Sequence, residues 1–152
     1  MLKTIEMLVS LKMPDSTAIT ALQTLKKLGF EKIKGLKRFD YYKFSVEGDL
    51  EKFKEKISKA DIIVNANKHL FDFSVKKEKG SKLLVKNTDD DCTGLLSVLK
   101  NRLGFKSIKK IEKGVLWSIN SDADSKESIK ISEKAARGLL ANENYQSFSV
   151  IQ

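Results

Sequence analysis

Cysteine and histidine are almost missing from this chain. Cys92 is the only cysteine and His69 the only histidine among 152 residues, which excludes an intramolecular disulfide and a thiolate metal cluster. Cys92 reads as a small residue near a helix start, and His69 has no histidine, cysteine or carboxylate companions at ligand spacing. No apolar run approaches the roughly 20 residues that a membrane-spanning helix needs. The opening stretch, MLKTIEMLVSLK, alternates apolar and polar positions without a continuous apolar h-region or a small-residue cleavage site. No signal peptide is therefore expected, and the cytoplasm is the expected compartment. The sequence also lacks a Cys-His pair, a Gly-rich phosphate loop, and paired carboxylates other than those that read as helix caps. Catalytic, cofactor-binding and metal-binding residues are accordingly expected to number none.

Charge, by contrast, is plentiful. Hydrophobic residues make up 41% and charged residues 32%, with a net charge of +9, the composition of a globular protein. The lysines interleave with Glu and Asp, as in EKFKEKISK, a pattern that marks a solvated helix face rather than a nucleic-acid track.

One stretch occurs twice. Residues 66–75 read ANKHLFDFSV and residues 141–150 read ANENYQSFSV, a shift of 75 residues that pairs Ala66 with Ala141, Asn67 with Asn142 and Phe73 with Phe148. The same ungapped shift pairs Leu28-Gly29-Phe30 with Leu103-Gly104-Phe105, Ile33-Lys34 with Ile108-Lys109, Asp49 with Asp124 and Lys59-Ala60 with Lys134-Ala135. The chain is a tandem duplication. Each copy is near the size at which a single core barely offsets chain entropy, so two copies packed together are expected.

Each copy reads as β-α-β-α-β. Ile5, Met7, Val9 and Leu11 alternate as a strand with one buried face, and Leu83 to Val85 is its shorter counterpart. Pro14 and Asp15 supply a turn and an N-cap, after which Ala18, Ala21, Leu22, Leu25 and Leu28 predict a helix over residues 16–28. Gly29 can end it in the left-handed conformation with Phe30 folding back on Leu25. In the second copy, Asp90 or Asp91 caps, Leu95, Leu96, Leu99 and Leu103 form the stripe, and Gly104-Phe105 ends it.

Residues 33–46 predict one long or bent strand, with Tyr42, Phe44 and Val46 matched by Val115, Trp117 and Ile119. Gly114 marks a bulge or, less often, the close approach of another backbone. From an Asp49 cap, Leu50, Phe53, Ile57, Ala60 and Val64 predict a second helix with one buried stripe. Asp124 caps its counterpart, whose stripe is Ile129, Ala136, Leu139 and Leu140. The Ala-Asn pairs then stop the helices in left-handed geometry, before final strands at Phe71, Phe73 and Val75 and at Phe148 and Val150. The expected fold is α+β, with helices packed on a largely antiparallel sheet. Two units, residues 1–76 and 83–152, are joined by a polar linker at residues 77–82 and close as a pseudo-twofold pair.

With this order in view, the second copy resembles PurS, the small subunit of phosphoribosylformylglycinamidine (FGAM) synthase. The family's Leu-Leu-Ala-Asn before the last strand stands here as Leu139-Leu140-Ala141-Asn142 and more weakly as Val64-Asn65-Ala66-Asn67. Its strand apolar-x-x-apolar-Arg-x-Gly-Lys is similar to the stretch Ile108-Lys109-Lys110-Ile111-Glu112-Lys113-Gly114-Val115, and its first helix is echoed from Asp15 to Phe30 and from Asp90 to Phe105. Neither copy keeps the Pro and Gly of the family's Asp-Pro-x-Gly, Phe39 stands where the second copy has Gly114, and family members are usually about half this length.

The resemblance implies a non-catalytic bridging subunit of de novo purine biosynthesis. Such a subunit joins a PurL-type synthetase to a PurQ-type glutaminase and supports ammonia transfer, while the complex converts formylglycinamide ribonucleotide, ATP and glutamine to FGAM. Asn67, Asn142, Lys113 and Gly114 are the expected partner-interface residues, and further self-association is compatible with the family. The alternatives are an α+β regulatory module that binds a small molecule and, more weakly, a basic nucleic-acid-binding protein. Phe44, Phe53, Phe73 and Trp117 fall on predicted core faces, which disfavours the last.

Overall fold

The computed structural model describes residues 2–74, 80–88 and 92–151. Among them six strands and four helices follow in the order β1 (Leu2–Leu11), α1 (Ser16–Lys27), β2 (Ile33–Glu47), α2 (Leu50–Ile57), β3 (His69–Asp72), β4 (Ser81–Asn87), α3 (Thr93–Ser97), β5 (Ile108–Ser121), α4 (Ser125–Ala135) and β6 (Gln146–Ile151). Helices α3 and α4 each run on into one π-helical turn, Val98–Arg102 and Ala136–Leu140. The strands form one antiparallel six-stranded sheet in the order β3-β1-β2-β5-β4-β6. The protein is thus α+β. No helix among the described residues is long and apolar enough to cross a membrane.

The residues pack into two compact units, each assembled from both halves of the sequence. The first comprises the described residues of Met1–Met13, Asp40–Val75 and Asp90–Lys113, the second those of Pro14–Phe39, Lys76–Asp89 and Gly114–Gln152.

In the first unit β1 lies between β3 and β2, with Ile5 opposite Phe44, Met7 opposite Tyr42 and Val9 opposite Phe71. The inward residues of these strands gather with Phe53 and Ile57 of α2 in one core. That core is closed by the second copy's first helix, whose Leu99 is wholly buried and whose Phe105 meets Phe53 edge to face at 6.0 Å. Phe44 in turn meets Phe53 at 5.3 Å, the offset geometry that aromatic quadrupoles favour.

The second unit mirrors this exchange. β4 lies between β5 and β6, with Leu83 opposite Trp117 and Val150, and Val85 opposite Val115 and Phe148. Ala18 and Leu25 of α1, a helix of the first copy, are buried there with Leu83, Trp117, Ile119, Ala135, Ala136 and Leu140. Burying one such leucine is worth about 1.5–3 kcal/mol, so each first helix contributes to the core made by the other copy's strands.

Local chemistry explains most element ends. The Asp15 carboxylate accepts hydrogen bonds from the Thr17 and Ala18 N–H groups, and Asp49 accepts likewise from Glu51 and Lys52. Helix α1 ends in a Schellman motif. Phe30 N–H donates to Leu25 O at 3.1 Å and Gly29 N–H to Lys26 O at 3.1 Å, while Gly29 takes φ +99°, a conformation open to glycine at little expense. The second copy spends one more residue on the same ending. Phe105 N–H reaches back to Leu99 O at 2.9 Å across the π-helical turn, as an inserted residue demands.

Several expectations are corrected. Helix α2 stops at Ile57, although the apolar spacing continues to Val64. Successive tight turns take over, with Ala60 N–H donating to Ile57 O and Ile63 N–H to Ala60 O. Ala60, Ile63 and Val64 remain buried in this arrangement. Ser58, Asp61 and the β-branched Ile62, Ile63 and Val64 are weak helix formers, so burial was retained without the helix.

Leu28 and Leu103, assigned to buried stripes, are 56% and 41% exposed. The inner face of α4 is Ser128, Ser132 and Ala135, whereas Leu139 of its expected stripe is exposed. Strand β3 is His69–Asp72, so Phe73 lies past its end, and β4 already begins at Ser81. The Asp90 and Asp91 caps, Val75, and residues 77–79 of the linker lie outside the described residues.

Candidate interface site

The Ala-Asn turns carry the most elaborate local bonding. Asn142 follows the π-helical turn of α4, and its carbonyl accepts from Tyr145 N–H at 3.0 Å and Gln146 N–H at 2.7 Å. Its own N–H donates to Gln146 Oε1 at 2.9 Å, and its side-chain Oδ1 accepts from Asn144 N–H at 3.1 Å. The side chain thus folds the backbone into an Asx turn.

The first copy repeats all four bonds, but on Asn65. Its carbonyl accepts from Lys68 N–H at 3.0 Å and His69 N–H at 2.8 Å, its N–H donates to His69 Nδ1 at 2.9 Å, and its Oδ1 accepts from Asn67 N–H at 3.0 Å. Asn65 is therefore the counterpart of Asn142, and Asn67 that of Asn144. The Ala66-Asn67 match is displaced by two positions from the structural register. Nor do these asparagines stop a helix in left-handed geometry. Among the described non-glycine residues only Cys92, at φ 59°, has positive φ, and Ala141 before Asn142 is extended.

The expected interface residues divide between the units. Asn67 and Lys113 belong to the first, Asn142 and Gly114 to the second. Asn67, Asn142 and Lys113 are exposed and Gly114 half-buried. Asn142 lines a depression of about 420 Å³ together with Arg137, Gly138, Leu139, Glu143 and Asn144. Arg137 pairs with Glu143 at 3.2 Å and stands over the Phe148 ring at 5.5 Å. Gly114 has its own steric reason: a Cβ there would stand 2.6 Å from Val85 O, so β4 approaches β5 only because this residue is glycine.

Lys113 stands with its ammonium 5.7 Å from the Tyr42 ring centroid. Burial pushes the Tyr42 hydroxyl up to about 12, with neighbouring Asp40 and Cys92 adding to the effect. Tyr41 beside it is raised as well, by burial first, then by its 2.6 Å hydrogen bond to Glu6, then by the charges of Glu6 and Glu112. Both phenols stay neutral, which suits a packing role. Among the described residues no group of three or more His, Cys, Asp or Glu side chains is placed to hold a metal.

The second unit also contains a feature outside the expected site. Ser81, Ser121, Ser128 and Ser132 are buried together. Ser81 bonds Ser132 through their hydroxyls and Ser128 through its carbonyl at 3.3 Å, and Ser121 meets the Ser128 hydroxyl at 3.1 Å. The signal was present, because Ser128 and Ser132 stand 75 positions after Phe53 and Ile57. A groove of about 440 Å³ flanks α1 in the same unit, lined by Thr17, Thr20, Thr24, Trp117, Leu139 and Leu140. No protein-family model matches this chain, and no curated protein matches it.

Proposed function

We propose that the chain is a PurS-like bridging subunit present as two tandem copies closed in a pseudo-twofold pair, a non-catalytic part of FGAM synthase in de novo purine biosynthesis. The observation that supports this reading best is the repeated Asx turn. Its four hydrogen bonds recur on Asn65 and Asn142, and the second turn carries the Leu-Leu-Ala-Asn sequence on which the resemblance rests. The exposed tips of these turns, Asn67 and Asn142, with Lys113 nearby in sequence to Gly114, are the proposed contacts for a PurL-type synthetase and a PurQ-type glutaminase.

The tagged chain, incubated at low salt with glutamine and ADP-Mg in lysate of its source cell, is expected to retain both enzymes and to show no synthetase activity alone. Recovery of neither enzyme rejects the proposal.

The groove beside α1 favours a second reading, a regulatory module for a small molecule. Threonine hydroxyls beside Trp117 and Leu140 offer a few polar groups on an apolar floor, the usual composition of a ligand cleft. A thermal-shift screen of nucleotides and amino acids distinguishes it, since only this reading predicts a ligand-dependent rise in melting temperature.

A further inference from the structure

The sheet ends on β3 and β6, and the outer edges of these two strands meet no further strand among the described residues. They are built differently. β3 has 4 residues, follows Lys68, and ends in Asp72, whose carboxylate accepts from the Ser74 N–H at 3.0 Å and the Ser74 hydroxyl at 3.1 Å. A short edge flanked by charge is how natural sheets avoid unwanted pairing.

β6 has 6 residues, QSFSVI, without a charge or a proline, in a chain that is 32% charged. Such a segment, rich in aromatic and β-branched residues and free of charge, is a ready template for another strand. Its inward Phe148 and Val150 are only partly buried against the second core, so an added strand would complete their burial. Lys82 and Lys86 of β4 stand opposite Ile151 and Ser147, and Arg137, over the Phe148 ring, is held by Glu143 at 3.2 Å and Glu133 at 4.0 Å.

We propose that β6 is a self-association edge, onto which β6 of a second copy of this chain adds antiparallel about a twofold axis. An uncharged strand meets itself without repulsion and offers a charged partner nothing to read. Core-facing side chains stay on one face only when the paired numbers have an even sum. One such register sets Phe148 opposite Phe148, Gln146 opposite Val150 and Ser147 opposite Ser149. These are an aromatic pair, an amide over an apolar residue, and a hydroxyl pair, and none of them is a like-charge contact. The contact is small, so the dimer is concentration-dependent.

Sedimentation equilibrium on the whole chain tests this. The expected result is a molar mass that rises with concentration from one chain to two and no further. Ser149→Lys and Ser147→Lys, both at exposed positions of β6, should each weaken the dimer about tenfold or more by setting like charges close together across the axis. Leu70→Lys on β3 should leave the dimer unchanged, and circular dichroism checks that each variant is folded. A single-chain mass at every concentration overturns the proposal, as does a dimer that folded Ser149→Lys and Ser147→Lys chains retain, or one lost in folded Leu70→Lys.

Discussion

Helices α2 and α4 hold the same place in the 75-residue shift yet bury side chains of opposite polarity. α2 sets Phe53 and Ile57 into the first core, and α4 sets Ser128 and Ser132 into the second. The strands beneath follow suit. Ser121 stands 75 positions after Val46, and Ser81, opposite Ile119, takes the place that Ile5, opposite Phe44, has in the first unit. One apolar quartet has become four hydroxyls that bond one another and nearby carbonyls.

The exchange is tolerable because each buried hydroxyl finds a partner, which removes most of the desolvation penalty. The buried residues of α4 are all small, Ser128, Ser132 and Ala135, and Ala135 and Ala136 are wholly buried. The comparison teaches that helices at matching positions of the two sequence halves can pack on their sheet strands differently, α2 by apolar volume alone and α4 by hydrogen bonds and close approach beside an apolar cluster.

Substitutions can break this contrast. The largest effect is expected for Phe53→Ala, which opens a cavity beneath Phe44 and Phe105 and should cost about 3–5 kcal/mol in urea unfolding. Ser132→Ile, which copies the first unit's residue into the second, should destabilise by about 1–3 kcal/mol, because the space under α4 is filled and Ser81 loses a hydroxyl partner. A stabilising effect would show that the second core has room the account denies it.

Alkaline pH sharpens the contrast differently, since Tyr41 and Tyr42 of the first unit are replaced by Leu116 and Trp117 in the second. Tyr42 is raised in the folded state to about 12, against roughly 10 when unfolded. Its contribution is therefore complete below pH about 10 and is lost between about 10 and 12, at up to about 1.4 kcal/mol per pH unit, as the unfolded chain gives up a proton that the native state keeps. Tyr42→Phe should flatten that part of the stability–pH curve. An unchanged slope would place the titration elsewhere.

The smallest effect concerns the two Asx turns. His69→Gln should alter stability by less than about 0.5 kcal/mol, since Gln146 already performs the same bond in the second copy, whereas His69→Ala should lose about 1 kcal/mol by leaving Asn65 N–H without its acceptor. Equal losses would mean that the imidazole acts through packing instead.

Much of the first level of structure could be read from residues. Asp15, Asp49 and Asp124 cap helices because a short carboxylate reaches N–H groups two or three positions on, and Gly29 with Phe30 ends α1 through a motif that depends on local geometry alone. The turn register could not be read. Asn65 and Asn67 offer the same side chain two positions apart, and only the strand pairing selects which one bonds His69. The early end of α2 also escaped, because turns bury Ala60 and Val64 as well as a helix would.

The exchange of first helices has no local signal at all. An apolar stripe on α1 says that a face is buried but not against which strands. The serine quartet was legible in the alignment of the two copies, where Ser128 and Ser132 fall on Phe53 and Ile57, yet a serine on a helix ordinarily faces water.

The account rests on that exchange, in which each first helix belongs to the core of the other copy's strands. Native-state hydrogen exchange on the Ser132→Ile chain tests it directly. Destabilising the second core should lower amide protection in α1 together with β4, while α2 and β1 keep theirs. Protection in α1 that follows α2 and β1 and ignores the substitution would contradict it.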